Sequence, residues 1–344
     1  MRGSSRFIAS ACSVSVALIG VACSRESARS DVDASAGAGA SVSAGASAGA
    51  GAGASASASA GAGAGAGAGA STYDPAYLTA QPIAAKAIGH TSLVLKLTLE
   101  GGLVAAYKPR SQKPLGSTRY RAEIAAYRIA RALGSSNVPV ALARKIDAAT
   151  LRALSSQGPH GKNADEILAD DDGRVRGALM PWIKYELYPL EREPLRSRAA
   201  EWVTSKEPVA DADKALARQV ATLFVFDYYI ANWDRMSGGN VAIDKATGTL
   251  LYVDNDGAFY EAPDGAKLAD QLATLRKMTR FARSFIVALR AFGLHELEKS
   301  VGEEVPGVPL LSKNVIDMAE ERRVRILKIV DARIASDGEA SVLF

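Results

Sequence analysis

The chain's chemistry is concentrated in Asp227-Tyr228-Tyr229-Ile230-Ala231-Asn232-Trp233-Asp234-Arg235, followed by Asn240 and by Val253-Asp254-Asn255-Asp256-Gly257. Asn240-Val241-Ala242-Ile243 and Leu251-Tyr252-Val253-Asp254 read as strands flanking the turn Asp244-Lys245-Ala246-Thr247-Gly248-Thr249. With its midpoint at Thr247, this hairpin is expected to put Asn240 opposite Asp254. Asp234 closes the loop that leads into the first strand, so three oxygen-bearing side chains meet at one open end of the hairpin. Mg²⁺ takes a few protein oxygens plus substrate phosphates rather than a full protein cage, so an Asp and an Asn beside a phosphate suffice. A further carboxylate not spent on metal can accept the proton of an attacking hydroxyl as a phosphoryl group is transferred. Asp254-Asn255-Asp256-Gly257 does not make a calcium loop, because neither register supplies both the required glycine and a closing glutamate.

These residues need elements to hold them. Ser92–Leu99 and Leu103–Lys108 are β-type runs joined by Glu100-Gly101-Gly102, a tight hairpin signal. Ser117-Thr118 can cap a helix that carries Ile124, Tyr127, Ile129, Ala130 and Leu133 and stops at Gly134. A strand fits Val138 to Arg144, and Gly177 to Ile183 reads as a last strand leaving a small lobe of one sheet and one helix. Downstream, Leu216, Val220, Leu223, Phe224 and Ile230 recur at helical spacing across Ala212 to Ala231. Helices resume over Leu268 to Leu294 and Asn314 to Ile334. Arg276, Arg280 and Arg283, with Lys277, are expected on one side of the first of these, as a solvated face.

The pattern Asp227-x-x-Ile230-x-Asn232-x-Asp234-Arg235, then Asn240, then Asp254-Asn255-x-Gly257, resembles the catalytic block of the atypical kinases. These are the phosphatidylinositol 3- and 4-kinase superfamily, the HipA-type bacterial kinases and the secretory-pathway protein kinases. The resemblance implies Asp234 as catalytic base or substrate-orienting carboxylate, Asn240 as a metal-side amide and Asp254 as the metal aspartate. Upstream, Lys108 in Tyr107-Lys108-Pro109 resembles the strand lysine that binds nucleotide phosphates, and Glu123 resembles its ion-pair partner. Gly89-His90-Thr91-Ser92 sits where the phosphate-covering turn should be, which makes Gly89, Thr91 and Ser92 nucleotide contacts. Met180-Pro181-Trp182-Ile183 falls at the inter-lobe hinge, where backbone groups of Met180 and Trp182 would meet the adenine. The match spans roughly Ala84 to Tyr260. It departs in three places: the loop from Asp234 to Asn240 is one residue longer than the usual spacing, Met236 replaces a frequent histidine, and the phosphate turn has one glycine. Asp227 and Arg235 read as supports of the loop, and Asp256 as a turn acid that could assist a metal.

The chain has 344 residues, 48% of them apolar, and a formal net charge of +4 with acidic and basic residues interspersed. That pattern argues against nucleic acid as a partner. Residues 1–23 read as a signal peptide: Arg2 and Arg6 precede an apolar run ending in Gly20-Val21-Ala22-Cys23. The small residues before Cys23 resemble a bacterial lipoprotein box, so a lipid anchor at Cys23 is expected, with simple signal cleavage as the alternative. Residues 24–71 are expected to form a disordered linker, since their Ala/Gly/Ser tract cannot bury enough surface to offset its ordering entropy. Such a tether spans ~35 Å. Cys12 and Cys23 are the only cysteines, and His90, His160 and His295 have no metal-ligand spacing.

The expectation is therefore an α+β, two-lobed, protein-kinase-like fold: a small β-rich N-lobe over 72–183 and a mainly helical C-lobe with a catalytic hairpin over 184–344. The expected activity is an ATP- and Mg²⁺-dependent phosphotransferase, Mn²⁺ being an acceptable substitute, acting on a protein Ser/Thr or a lipid or small-molecule hydroxyl. The alternative is a membrane-tethered pseudokinase that binds nucleotide or protein without turnover. A monomer is expected, exported to the cell envelope.

Overall fold

The computed structural model describes residues 73–88, 92–113, 115–156, 161–263 and 265–344. The expected leader and linker, and Gly89 and Thr91 of the phosphate turn, lie outside the described residues. The N-lobe comprises β1 (Pro82–Ala87), β2 (Leu95–Leu99), β3 (Val104–Pro109), α1 (Arg119–Ala132), β4 (Leu142–Asp147), α2 (Ala148–Ser155) and β5 (Arg174–Pro181). The C-lobe runs through β6 (Glu186–Leu187), α3 (Leu195–Thr204), α4 (Lys214–Ile230), β7 (Val241–Asp244), β8 (Thr249–Tyr252), α5 (Gly265–Lys277), α6 (Arg283–Ala291) and α7 (Leu294–Val301). It closes with β9 (Glu303–Val305), β10 (Val308–Pro309), α8 (Lys313–Asp337) and α9 (Glu339–Val342).

The N-lobe strands form one antiparallel sheet in the order β1-β2-β3-β5-β4. Gly101 and Gly102 both take positive φ, +74° and +78°, which is what lets β2 turn into β3 within so few residues. Along β3 the side chains alternate. Ala105 and Tyr107 go into a core with Leu95, Leu97 and Leu99, while Ala106 and Lys108 face the inter-lobe cleft. Gly177 on β5 is required by this packing: a Cβ there would stand 2.5 Å from the Lys108 carbonyl and 2.6 Å from the Tyr107 ring.

The helix α1 belongs to the other lobe's core. Ile124, Ala125, Ala126 and Ile129 are fully buried in one cluster with Val220, Leu223, Phe226 and Leu297 of α4 and α7. Burying an isoleucine of this kind contributes ~1.5–3 kcal/mol. At the centre of that core, α4 is buried all round in its last turns, Val225 to Ile230, as a helix must be when other elements surround it.

Four expectations are corrected. The hairpin register is one residue off: Val241 pairs with Tyr252 and Asp244 with Thr249, so Asn240 lies across from Val253 rather than Asp254. The cause is a four-residue turn in which the Asp244 carboxylate accepts from the Ala246 N–H and the Thr247 hydroxyl, both at 2.9 Å. Gly248, at φ +69°, then donates to the Asp244 carbonyl. The strand expected from Val138 starts at Leu142, because Pro139 carries no donor and Asn137 is tied to β8 through the Leu250 carbonyl and the Tyr252 N–H. The N-lobe has α2 besides α1. The helix expected over 268–294 breaks at Met278–Ala282, where Thr279 donates to the Val203 carbonyl and the buried Arg280 to those of Trp202, at the end of α3, and Glu207, just beyond it. Arg276, Arg280 and Arg283 therefore share no helix face.

Gly177→Ala is expected to cost about 1–3 kcal/mol through overpacking between β3 and β5. Urea denaturation of the variant beside the parent chain checks this.

Candidate active site

The loop that carries Asp234 begins where α4 ends. Ala231 adopts φ +52°, and Asn232 donates its N–H to the Asp227 carbonyl at 2.8 Å, turning the chain back on the helix. The buried Asn232 side chain accepts the Asp234 N–H at 3.2 Å. Gly257 presses on the same loop, since a Cβ there would lie 2.9 Å from both Asn232 Oδ1 and Asp234 Cβ.

One buried side chain ties this loop to the hairpin. Arg235 donates its Nε to both Asp227 oxygens at 3.1 Å, its Nη1 to the Asn240 carbonyl at 2.6 Å and to the Val253 carbonyl, and its Nη2 to Asn255 Oδ1 at 2.5 Å. Asn255 in turn donates to the Tyr252 carbonyl at 2.9 Å. Burial pushes Asp227 up to about 6 against the opposing pull of Arg235. The guanidinium thus joins the end of α4, the start of β7 and the exit of β8, a planar fork suited to several acceptors at once.

Just past β8, Asp254 takes φ +55° and turns out of the strand. Its carboxylate meets Lys108 Nζ at 2.5 Å, and the same ammonium lies 2.6 Å from Glu123 and 3.1 Å from Asp256. Arg119, at the start of α1, holds the other Asp256 oxygen at 3.2 Å. Burial alone would lower the Lys108 pKa, but Asp254, Glu123 and Asp256 overcome it and hold the ammonium well above its usual range. Glu123 is pushed up by its burial and by the two aspartates, against Lys108. Burial also raises the Asp254 carboxyl, yet the Lys108 charge and hydrogen bond outweigh it and leave it lowered. The Asp254 side chain is 43% exposed, so it stands at the mouth of the cleft, whereas Asp256 is 3% exposed.

The cleft encloses about 760 Å³ between the sheet and the hairpin. Ile88, Val94, Ala106 and Met180 make an apolar wall, and Lys108, Glu123 and Asn240 a polar floor, with Asp254 at the mouth. Ser92 lines it too. The Trp182 ring stands at its edge with Lys96 Nζ 4.2 Å from the ring centre, but the Trp182 N–H is already donated to the Val104 carbonyl at 2.8 Å. Trp182 can therefore meet a ligand with its ring and not with its amide. Asn240 spends its Nδ2 on the Asp234 carbonyl, 2.8 Å away, which leaves Oδ1 for a ligand. Asp234 sits half-buried beside the cleft; burial raises its carboxyl, the Ser237 hydroxyl opposes this, and Asp254 and Asp256 raise it further.

No protein-family model matches the chain. Among curated proteins it is similar to the glycosaminoglycan xylosylkinase of Danio rerio, 26% identical over 211 residues that make up 49% of this chain and 51% of that protein. The chain thus spans about half the length of that curated relative. Its structure is similar to the crystal structure of the Golgi casein kinase, with a TM-score of 0.57, 18% identity, and coverage of 78% of this chain and 77% of that one. A structure of hydra Fam20 with sugar matches at a TM-score of 0.57 and 17% identity, over 78% of this chain and 90% of that one. The fold is a two-lobed kinase-like fold. In this fold the strand lysine, the helix glutamate and the aspartate after the hairpin line one cleft, and the loop aspartate lies beside it. Two members of the cluster were not legible as such: Asp256, expected as a turn acid, and Arg119, whose only signal is its place one helical turn before Glu123.

The residues suit a nucleotide with a divalent cation. Glu123, Asp234, Asp254 and Asp256 face Lys108 and Arg119, so two formal negative charges are left over, the charge of one divalent ion. Among the described residues no three His, Cys, Asp or Glu side chains converge as a ready-made metal cage.

Replacing Arg235 by Met is expected to cost about 3–5 kcal/mol, because it leaves Asp227 buried without its partner. Chemical denaturation measures the loss, and Arg290→Met, which removes an exposed pair with Asp331, is expected to change stability little.

Proposed function

We propose that this chain is an ATP- and Mg²⁺-dependent phosphotransferase. The observation that carries the proposal is the Lys108 ammonium, buried in the cleft among Glu123, Asp254 and Asp256. Lys108, kept on its strand by Glu123, would hold nucleotide phosphates, with Ser92 and the Met180 and Trp182 side chains around the nucleotide. Asp254 and Asn240 are the residues that would hold Mg²⁺ or Mn²⁺; the ion, when bound, offsets negative charge on the phosphates. Asp234 accepts the proton of the acceptor hydroxyl as its oxygen bonds to the γ-phosphorus and the bond to the departing ADP oxygen breaks.

The acceptor is a hydroxyl of a protein Ser or Thr, or of a lipid or small molecule. A Golgi casein kinase, one structure of which holds Mn and ADP, and a xylosylkinase share the fold or part of the sequence. These similarities support a protein or a sugar hydroxyl. The N-terminal pattern supports export and attachment at Cys23. A pseudokinase reading draws on one contact: Lys108 and Asp254 touch at 2.5 Å and so occupy each other's ligand positions. Nucleotide and ion must part them.

With labelled ATP, Mg²⁺ and a cell-envelope extract, the chain is expected to label a product, and Asp234→Asn to lower the rate about 10²–10⁴-fold. A Mg²⁺-dependent thermal shift with ATP but no labelled product from any extract would favour the pseudokinase instead. Asp234 works only when ionised, and both burial and its aspartate neighbours raise its pKa. Activity should accordingly fall as pH drops, with the half-point above the ordinary aspartate range. Asp256→Asn removes one of those neighbours and should move the acid limb to lower pH.

A further inference from the structure

Glu304 lies outside the cleft and touches nothing in it, yet its carboxylate is 2% exposed. It stands on β9 of the C-lobe and reaches into the N-lobe. Its Oε2 is 2.7 Å from Arg121 Nη2 and 3.3 Å from Arg176 Nη1 on β5, and its Oε1 accepts the Tyr120 hydroxyl. Tyr120 and Arg121 are in the first turn of α1, just before Glu123. One face of the same helix is fixed further along, where Arg128 donates to the carbonyls of Val301 and Glu303. Arg176 continues the network to Asp170, its Nε 2.8 Å from Oδ2. Asp170 holds Arg110 at 2.9 Å, two residues after Lys108 on β3.

We propose that Glu304 is a positioning residue, a strut from the C-lobe that locks α1 so that Glu123 stays on Lys108. A carboxylate this deeply buried is tolerable only where charged donors surround it, and the charged donors here are Arg121 from α1 and Arg176 from β5, beside the Tyr120 hydroxyl. The apolar face of α1 is already shared with α4 and α7. Glu304 adds a directional tie at the end of the helix that bears Glu123. The inference rests on the kinase reading for its consequence, tighter nucleotide binding, but not for the tie itself.

Affinity for a fluorescent ATP analogue with Mg²⁺, and hydrogen exchange of residues 119–126, are measured in the full chain. The variants are Glu304→Gln, Arg121→Gln, Glu123→Gln and the double variant Glu304→Gln/Glu123→Gln. Glu304→Gln is expected to weaken binding about tenfold, as for a helix aligned only about one-tenth of the time, and to speed exchange in α1 while α5 and α6 keep theirs. In the Glu123→Gln background the same change should matter less than about twofold, because it acts through that pair. Arg121→Gln should shift both readouts in the same direction by less, and it decides the matter if Glu304→Gln does not fold. Unchanged affinity and α1 exchange, or an equal loss in both backgrounds, overturns the proposal. If the parent chain binds no analogue, the kinase reading fails, and α1 exchange alone then decides whether Glu304 holds the helix.

Discussion

An ammonium withdrawn from water costs several kcal/mol unless anions replace its hydration. Lys108 meets that constraint with three carboxylates, and they come from distant stretches: Glu123 from α1, Asp254 and Asp256 from the chain leaving β8. The sheet, the helix and the hairpin must all be in place before this charge is tolerable. The same contacts give the cleft its surplus of negative charge, since three acids share Lys108 and only Asp256 has a second cation, Arg119. Stability and chemistry are therefore drawn from one set of side chains, and a ligand that brings its own cation can relieve what the protein leaves uncompensated.

A second cation divides the labour. Arg235 carries no substrate-facing role in this geometry; it collects carbonyls from β7 and β8 and the carboxylate of Asp227. Where Lys108 gathers charges that a ligand can redistribute, Arg235 gathers backbone that must not move. The adjacency of Asp234 and Arg235 in the chain is thus functional in two senses, since a reactive carboxylate is set beside the residue that immobilises its loop. Gly257 completes the arrangement by allowing the returning chain to lie against Asn232 and Asp234 without a side chain between.

Much of this was legible in the sequence because order along the chain carries information that single residues do not. Lys108, Glu123, Asp234, Asn240 and Asp254 each look ordinary alone, and the fold class followed from their succession together with the strand and helix patterns. What failed did so for physical reasons. The register of β7 against β8 depends on hydrogen bonds that the Asp244 side chain accepts, which alternation of apolar residues does not encode. The short β9–β10 hairpin has too few residues for a periodic signal, and Glu304 meets Tyr120 across 184 positions of sequence. The strand β1, with its run of Ala and exposed Ile83, shows no clean alternation. The break between α5 and α6 comes from tertiary hydrogen bonds to α3, which override local helix propensity.

The turn closing β7 and β8 also sets a rule of parity. Four residues separate Asp244 from Thr249, and the strands beyond them alternate sides with a period of two. Lengthening or shortening that turn by one residue would make one strand present its opposite face, sending Tyr252 outward and breaking the alignment of the Asn240 and Val253 carbonyls on Arg235. A change of two residues would restore it. The turn, exposed as it is, is thus constrained twice, by the side chains of Asp244 and Thr247 that shape it and by whether its length is odd or even.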